Sequence, residues 1–396
     1  MVTIIHANII TPSHIIEDGT LIFDKGIITA IQEKSVASEK DSLGEVWDAQ
    51  GQYLSPGFID IHVHGGGGAD FMDNSVDAFL QVAETHARYG TTAMLPTTLT
   101  SDKQQLWNTF TVYEQARKEN IRGAQFLGLH LEGPYFAMNQ RGAQDPKYIR
   151  DPDPDEYQPI LKKYGHLIAR WSAAPELPGA DAFGKAVTDA GILLALAHTD
   201  ALYEDILRGL ESGYKLATHF YSGMSGMIRK NAYRYAGAIE SCLLLDEIDV
   251  EIIADGVHLP DPFLKLILKV KGVDHITLIT DAMRAAGMPE GNSILGGLDT
   301  GLPVIVEDGV AKLPDRSSFA GSVGTADRLL RTMLATGVVS LVDAVKMLTL
   351  NPAKLLRVDH ERGCIAKGMR ADLVLFDEHI NINKTIVGGR TVYSAS

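Results

Sequence analysis

Residues 54–64 read Leu54-Ser55-Pro56-Gly57-Phe58-Ile59-Asp60-Ile61-His62-Val63-His64, a turn followed at once by an apolar strand. His62 and His64 are two positions apart, so in a strand both side chains point to the same side. Two imidazoles on one face can bind one cation through their ring nitrogens. Isolated pairs of this kind also arise by chance, so the remainder of the chain must decide whether they form a metal site.

Apolar runs and helical stretches alternate along the middle of the chain. The candidate strands are Phe58–Val63, Thr92–Pro96, Phe126–Leu131, Arg170–Ala174, Leu193–Ala197, Leu216–His219, Val250–Ala254 and Ile276–Thr280. Alternating strands and helices predict an α/β protein with a parallel sheet, and a run of eight predicts a closed (β/α)8 TIM-like barrel. A doubly wound open sheet is the alternative. It would be favoured by a GxGxxG turn, but four glycines follow His64 instead.

Both ends of the chain are rich in short strands separated by turns, unlike the alternating middle. We expect residues 1–55 and residues 358–396 to come together as one small β-sandwich domain beside a barrel of residues 56–357. After the eighth candidate strand, residues 296–314 contain two β-branched runs around Glu307-Asp308-Gly309. This pattern predicts a hairpin, which we place over the barrel mouth.

Composition excludes several classes of protein. The chain has 396 residues and a formal net charge of −14, which argues against a general nucleic-acid binder with a basic surface. Its two cysteines, Cys242 and Cys364, are too few for a disulfide framework. We see no signal peptide, and no apolar run approaches the length of a membrane span. We therefore expect a cytoplasmic protein with no nucleic-acid or membrane partner.

Metal-ligand and acid/base residue types recur at the ends of the candidate strands. In chain order, these ends carry His62, His64, Glu132, His198, His219, His258 and Asp281. Six of the eight candidate strands end in this way, and the active site of such a barrel lies at the C-terminal ends of its strands. Histidines with purely structural roles have no reason to recur at this one position. The pattern therefore indicates a metal-dependent catalytic site.

The sequence around these residues resembles the amidohydrolase superfamily, whose first barrel strand carries a PGFIDxHxH signature. Within the superfamily, the chain most resembles the N-acetylglucosamine-6-phosphate deacetylase family over essentially its whole length. The resemblance rests on Gly128-Leu129-His130-Leu131-Glu132-Gly133-Pro134, Ala197-His198-Thr199, Ala217-Thr218-His219-Phe220-Tyr221, Ile253-Ala254-Asp255-Gly256-Val257-His258 and Thr280-Asp281-Ala282. The segments that contain Glu132 and His258 are the specific ones; the others are shared across the superfamily.

This resemblance implies roles for the residues at the strand ends. Glu132, His198 and His219 would bind the principal metal ion. His62 and His64 make a second ion possible, with Glu132 as the bridge. A set of nitrogen and oxygen ligands suits zinc or iron, so we expect one or two divalent ions per subunit. Asp281 would take the proton of the attacking water and return a proton to the amine leaving group.

The resemblance also implies contacts with the substrate. His258 would donate to it, and Ala143 lies in a loop, Arg141-Gly142-Ala143-Gln144, that would act as a lid. Ser222 and Gly223 stand where the family commonly has Asn-Ala and would hold phosphate through main-chain N–H groups. Arg229 is the first choice for the phosphate-binding arginine and Arg234 the second. Relatives often place this arginine in a neighbouring subunit, so a homodimer is expected.

The implied reaction is hydrolysis of the acetamide of N-acetylglucosamine 6-phosphate to glucosamine 6-phosphate and acetate, in amino-sugar catabolism. N-acetylgalactosamine 6-phosphate is the nearest alternative substrate. A cyclic-amide hydrolase such as a dihydroorotase is less favoured, because its usual bridging ligand is a carboxylated lysine where this chain has Glu132. A non-catalytic scaffold should have lost ligands or Asp281, and a purely structural metal site would close every coordination position with protein ligands.

Other polar residues have simpler interpretations. We expect His130 to be a packed, hydrogen-bonded core histidine. Asp60 and Asp255 either orient a ligand imidazole or accept backbone hydrogen bonds, and the sequence leaves both possibilities open. The glycines at 65–68 lack the Gly-Lys-Ser/Thr ending of a phosphate loop, which favours close packing beside the metal site.

Overall fold

The computed structural model describes residues 1–34 and 44–395. Residues 35–43 and 396, which belong to the predicted terminal segments 1–55 and 358–396, lie outside the described residues. Within the described ranges, no helix combines the length and the apolar character needed to cross a bilayer.

Eight parallel strands form the barrel, and each lies close to its predicted position. They are Phe58–Val63, Thr91–Thr98, a third strand in two pieces (Gln125–Phe126 and Leu129–Glu132), Ile168–Ala173, Leu193–Leu196, Leu216–Ala217, Asp249–Ile253 and Ile276–Ile279. Neighbours in the chain are neighbours in the sheet. The last strand returns to the first, where the backbone N–H of Asp281 donates to the carbonyl of His62 at 2.9 Å. The closed barrel is therefore confirmed.

Ten α-helices surround or follow the barrel strands. They are Val76–Ala87, Lys103–Glu119, Pro154–Tyr164, Ala180–Asp189, Tyr203–Glu211, Ala238–Leu244, Asp261–Lys271, Ala326–Ala335, Leu341–Leu348 and Leu350–Leu355 in the described chain. Short 3-10 turns lie at Phe71–Asp73, Met138–Gln140, Pro146–Tyr148, Gly165–Leu167 and Val273–His275. Side chains cap the N-termini of several helices. Ser75 accepts a hydrogen bond from the backbone N–H of Ala78, and Asp102 accepts one from the backbone N–H of Gln105.

The two ends of the chain build a small β domain, as predicted. Its strands are Val2–Ile10, Ile15–Asp24, Ile27–Gln32, Glu45–Asp48, Tyr53–Pro56, Leu373–Phe376, Ile382–Val387 and Arg390–Ser394. Leu373–Phe376 pairs antiparallel with Tyr53–Pro56, which joins the C-terminal strands to the N-terminal ones in one eight-stranded sheet. The sheet curls around its own apolar core. This curvature brings the backbone N–H of Ile28, near one edge, within hydrogen-bond distance of the carbonyl of Met369, just before the C-terminal strands.

A four-stranded antiparallel sheet lies at the barrel mouth, and we call it the mouth sheet. It consists of Gly291–Leu295, Leu302–Glu307, Val310–Lys312 and Phe319–Ser322. The predicted hairpin forms its middle pair, and both flanking strands lie outside residues 296–314, the segment from which we predicted it. A separate hairpin, which the sequence analysis did not predict, pairs Ile228–Lys230 with Tyr233–Tyr235. A last pair of very short strands, Gly65–Gly66 and Ala69–Asp70, follows the first barrel strand.

Candidate active site

A cavity of about 530 Å³ opens at the C-terminal ends of the barrel strands. The predicted site residues that line it are His64, Glu132, Ala143, His198, His219, Ser222, Gly223, His258 and Asp281. His62 is fully buried beside them. These residues are far apart in the chain, and the barrel brings them together because the strand ends meet at one rim.

Glu132 is the centre of the first group of candidate metal ligands, which we call the principal group. Its Oε1 atom lies 3.3 Å from Nε2 of His198 and 3.1 Å from Nε2 of His219, and the two nitrogens are 3.2 Å apart. Two ligands about 2.0–2.1 Å from one tetrahedral ion would be separated by about 3.3 Å. The three donor atoms therefore fit a single cation.

The two imidazoles of the principal group are held by their other ring nitrogens. Nδ1 of His198 lies 2.7 Å from the carbonyl of Gln140, and Nδ1 of His219 lies 3.1 Å from the carbonyl of Ser222. A carbonyl can only accept, so each Nδ1–H donates and each Nε2 keeps its lone pair for a cation. His198 and His219 also have positive φ angles of 45° and 29°, strained conformations of the kind that concentrate at functional sites.

A second group of candidate ligands shares Glu132 and adds the two histidines of the first strand. Nε2 of His62 and Nε2 of His64 are 3.2 Å apart. His64 faces Oε2 of Glu132 at 3.5 Å, while His62 lies 3.6 Å from Oε1. Both groups bring ligand atoms within 4.8 Å of one another. Their nitrogen and oxygen donors therefore suit one divalent ion or a pair bridged by Glu132.

Asp281 faces the second group from the end of the eighth strand. Its Oδ1 atom lies 3.3 Å from Nε2 of both His62 and His64. Burial alone would raise the pKa of Asp281, but the charge of His62 and the hydrogen bond from His64 lower it to about 2. Burial would also raise the pKa of Glu132, but the surrounding histidines hold it well below its usual value. Both carboxylates are therefore ionised at neutral pH.

His258 is fixed at the cavity wall. Its Nδ1 atom bonds to Oδ2 of Asp255 at 2.8 Å, and its ring packs on Phe319 with centroids 4.7 Å apart. Asp255 also accepts the backbone N–H groups of Val257 and His258 at 2.9 Å. It therefore accepts backbone hydrogen bonds, and the imidazole that it orients belongs to His258, which is not one of the candidate metal ligands. Asp60 differs, because it accepts from Thr280 and the backbone N–H of His62 rather than from an imidazole.

Two glycines near the site are required by close packing. A side chain on Gly65 would place its Cβ 2.5 Å from the carbonyl oxygen of Ala69, which agrees with close packing rather than a phosphate loop. Gly223 has a φ of +60°, and a Cβ there would lie 2.8 Å from Nδ1 of His198. Only glycine therefore lets the 222–223 turn approach His198 this closely.

The predicted phosphate-binding arginines lie apart from the cavity. Arg229 and Arg234 face each other on the exposed 228–235 hairpin, and neither is among the described residues that line the cavity. Lys312 and Arg316 of the mouth-sheet segment line it instead, and each is paired with Glu307. This second pair of cations was not predicted from the sequence, because nothing in the spacing of Lys312 and Arg316 indicates that the mouth sheet turns them towards the barrel.

Two buried polar features of the site were not predicted from the sequence, the contact of Gln144 with Glu132 and the pair of Arg170 with Glu251. Gln144 donates from Nε2 to Oε2 of Glu132 at 2.7 Å, so it holds that carboxylate. Below the cavity, Arg170 and Glu251 form an ion pair with no exposed surface. A charged residue inside an apolar barrel strand was the one available signal for this pair. His130 is a packed core histidine, as expected, and bonds to Ser172 at 2.7 Å.

Comparison with known proteins agrees with this geometry. Residues 53–392 match the amidohydrolase family model. The chain belongs to the amidohydrolase family. Amidohydrolases are metal-dependent enzymes, and the principal and second groups are the candidate metal ligands of this member.

Individual amidohydrolases similar to this chain have more specific names. It is 34% identical to N-acetylglucosamine-6-phosphate deacetylase of Lysinibacillus sphaericus over 354 residues, which cover 87% of this chain and 86% of that protein. It is 30% identical to N-acetylgalactosamine-6-phosphate deacetylase of Escherichia coli O157:H7, with 95% of each chain covered. The crystal structure of N-acetylglucosamine-6-phosphate deacetylase from Pasteurella multocida superposes with a TM-score of 0.91 at 29% identity, covering 99% of each chain.

Proposed function

We propose that this amidohydrolase removes the acetyl group of N-acetylglucosamine 6-phosphate, giving glucosamine 6-phosphate and acetate. The observation that carries the proposal is the convergence of Glu132, His198 and His219 beside the ionised Asp281 at an open cavity. The cavity volume lies within the range of pockets that bind small ligands. The similarity to the Lysinibacillus sphaericus deacetylase supports the choice of substrate.

The principal group would hold the working cation, and the second group could hold another, so we propose one or two divalent ions per subunit. We propose zinc or iron, because mixed imidazole and carboxylate donors suit both. The fit rests on the carbonyl-anchored His198 and His219 rings, whose Nε2 atoms remain available. A divalent cation bound here supplies Lewis-acid activation of water and of the amide carbonyl.

The residues of the chain would carry the proton transfers. Asp281 accepts a proton from the water molecule as the oxygen atom of that water attacks the acetamide carbon. As the C–N bond breaks, Asp281 returns a proton to the amine nitrogen, so acetate and the free amino sugar leave. His258, as an imidazolium paired with Asp255 through Nδ1–H, would donate from Nε2–H to the carbonyl oxygen as negative charge develops there.

The phosphate would bind at the part of the cavity wall formed by the 222–223 turn and Ala143. Ser222, Gly223 and Ala143 line this wall. The N–H of Ser222 already donates to the carbonyl of His219 at 2.9 Å, so the N–H of Gly223 would be the main-chain donor to the phosphate. Arg229 would complete the phosphate site from a neighbouring subunit, because it is exposed and is not among the described residues that line the cavity of its own chain. Arg234 is the alternative.

A homodimer would bury the apolar surface of this hairpin. Met227 is 52% exposed and Tyr233 is 73% exposed, and Ile228 and Tyr235 are exposed as well. Adjacent exposed apolar side chains mark interaction surfaces more often than isolated ones do. We propose that two subunits exchange these hairpins. We also propose that the enzyme is cytoplasmic and that its partner is a small phosphorylated amino sugar.

A second candidate substrate is N-acetylgalactosamine 6-phosphate, which the similarity to the Escherichia coli O157:H7 protein favours. It would use the same metal ligands and Asp281 and would change only contacts with the sugar ring. A cyclic-amide hydrolase is less favoured, because Glu132 occupies the bridging position.

The experiment that separates these candidates is an acetate-release assay on a panel of substrates. The panel contains the N-acetyl forms of glucosamine and galactosamine, each with and without 6-phosphate. Dihydroorotate is added to the panel, and its ring opening, which releases no acetate, is measured separately. We expect the highest kcat/KM with N-acetylglucosamine 6-phosphate. Preference for the galactosamine epimer would establish the alternative, and turnover of dihydroorotate alone would refute deacetylation.

A further inference from the structure

His62 has an unpartnered nitrogen at the bottom of the site. The residue is completely buried, and its Nε2 atom faces Glu132 and Asp281. Its Nδ1 atom is also buried and has no hydrogen-bond partner among the described residues. A histidine that binds a cation through Nε2 carries its proton on Nδ1 and usually donates that proton to an acceptor. Burying an N–H group without an acceptor is unfavourable.

A carboxylate oxygen lies close to this nitrogen. Oε2 of Glu251 is 4.0 Å from Nδ1 of His62. An N–H···O hydrogen bond is about 2.9–3.0 Å long, so a shift of about 1 Å would close it. Glu251 belongs to neither group of candidate metal ligands, so it is free to act as a partner of His62.

Arg170 fixes Glu251 in this place. Its guanidinium bonds to both carboxylate oxygens, with Nη2 2.7 Å from Oε2. The same guanidinium donates to the carbonyl of Ile61 at 3.0 Å and to the hydroxyl of Thr218 at 2.8 Å. The pair has no exposed surface. Replacing a buried ion pair by apolar side chains of similar volume often leaves the stability of a protein unchanged or raises it. Packing alone therefore does not account for it.

We propose that Glu251, held and charge-balanced by Arg170, is the acceptor that orients the His62 imidazole towards the second cation. Glu251 and Arg170 are then positioning residues, since neither touches the substrate. Arg170 keeps the carboxylate from competing as a ligand, and Glu251 fixes the proton of His62 on Nδ1. This inference rests on the proposed metal-dependent function and deepens it, because it gives the second group a specific means of holding its ion.

Two double variants of the full-length protein test the inference by metal content. Arg170→Met with Glu251→Leu removes the charges and the acceptor but keeps the volume. Arg170→Gln with Glu251→Gln removes the charges and keeps an acceptor oxygen. Ser172→Ala is the matched control, because Ser172 bonds to His130 and Thr218 in the same buried network without contacting His62. Each protein is loaded with zinc, desalted and analysed for zinc per chain.

We expect about two zinc ions per chain in the wild type, the Ser172 control and the Gln/Gln variant, and about one in the Met/Leu variant, which loses the ion held by His62. Equal zinc in the Met/Leu and Gln/Gln variants overturns the inference, and so does a wild type that holds a single ion. If the Met/Leu variant does not fold, NMR of the ¹⁵N-histidine-labelled wild type decides. Zinc loading should then produce an exchange-protected Nδ1–H signal assigned to His62, and its absence overturns the inference.

Acetate release by the wild type separates this inference from the proposed function. A wild type that releases acetate while the Met/Leu variant keeps two zinc ions refutes only the role of Glu251. A wild type that binds zinc but releases no acetate from any N-acetylhexosamine phosphate refutes the proposed function, whatever the variants hold.

Discussion

Gln144 donates a 2.7 Å hydrogen bond to Oε2 of Glu132, while its own amide oxygen accepts from the backbone N–H of Thr100 at 3.0 Å. The amide is thus fixed at one end and holds the shared carboxylate at the other. Its oxygen must be the acceptor towards Thr100, so the amide N–H is the group that faces Glu132. The plane of the Glu132 carboxylate, and with it the direction of its two oxygens, depends on Gln144.

Gln144→Leu should weaken cation binding without unfolding the protein. Loss of a hydrogen bond to a metal ligand typically reduces metal affinity by about 10–100-fold. Competition with a chromogenic chelator measures that affinity. Asn139→Ala is the matched control, because the Asn139 side chain lies in the same loop and bonds to Asp200 instead. Unchanged affinity in the Gln144 variant would mean that Glu132 is held by other contacts.

Glu132→Ala should strip the principal cation, since it removes the oxygen that faces both His198 and His219. Metal analysis of the purified variant checks this directly. Glu176→Gln is a suitable control, because Glu176 is a carboxylate near the end of a neighbouring strand that bonds to Thr199 and the backbone of Asp200. A Glu132 variant that purifies with the metal content of the control contradicts the ligand assignment.

Asp281→Asn should keep the metal and lose turnover. The amide cannot accept the proton of water, and general acid–base groups contribute about 10²–10⁴-fold to rates. The measurements are kcat for acetate release and metal content on the same sample. A variant with both metal and wild-type kcat would remove Asp281 as the proton carrier.

Arg229→Ala should raise KM for the phosphorylated sugar far more than for the unphosphorylated one, because only the former carries the anion that the guanidinium binds. Arg234→Ala, on the facing strand of the same hairpin, serves as the comparison. The reverse ranking of the two variants would transfer the phosphate role to Arg234. Equal effects of Arg229→Ala on both sugars would mean that Arg229 is not the phosphate contact.

Loading the metal-free protein with zinc should release a proton from His64. Burial alone would lower the pKa of this ring, but the hydrogen bond to Asp281 and the charge of Glu132 raise it to about 9. The ring is therefore protonated at pH 7, and a cation must displace that proton, so affinity should rise with pH until the pKa is passed. Calorimetry in buffers of different ionisation enthalpy measures the release, and His64→Asn should reduce it. Loading without proton release at pH 7 would contradict this account.

The features that could be predicted from the sequence are those that arise from local patterns of residues. The barrel strands follow from short apolar runs between helical segments, and the candidate ligands follow from polar residues at the ends of those runs. The ion pair between Arg170 and Glu251 could not be predicted, because it joins residues 81 positions apart through the barrel interior. The contact of Gln144 with Glu132 depends on the path of an irregular loop, which no periodicity encodes.

The surface elements were harder to predict for a related reason. The 228–235 hairpin has exposed side chains on both strands, so it lacks the alternation of buried and exposed positions that marks a strand. The mouth sheet was predicted only as a hairpin, because its outer strands, Gly291–Leu295 and Phe319–Ser322, are joined to the middle pair by connections longer than the turn at Asp308, which give a weaker hairpin signal.

Acetate release from N-acetylglucosamine 6-phosphate, followed through removal and return of the metal, tests the central claim most directly. The purified wild-type protein is assayed as isolated, after chelation and after addition of zinc or Fe²⁺. We predict that activity falls to background on chelation and returns with one of these cations, in proportion to the metal bound per chain. Full activity in the chelated protein, or none with either cation restored, would contradict the account.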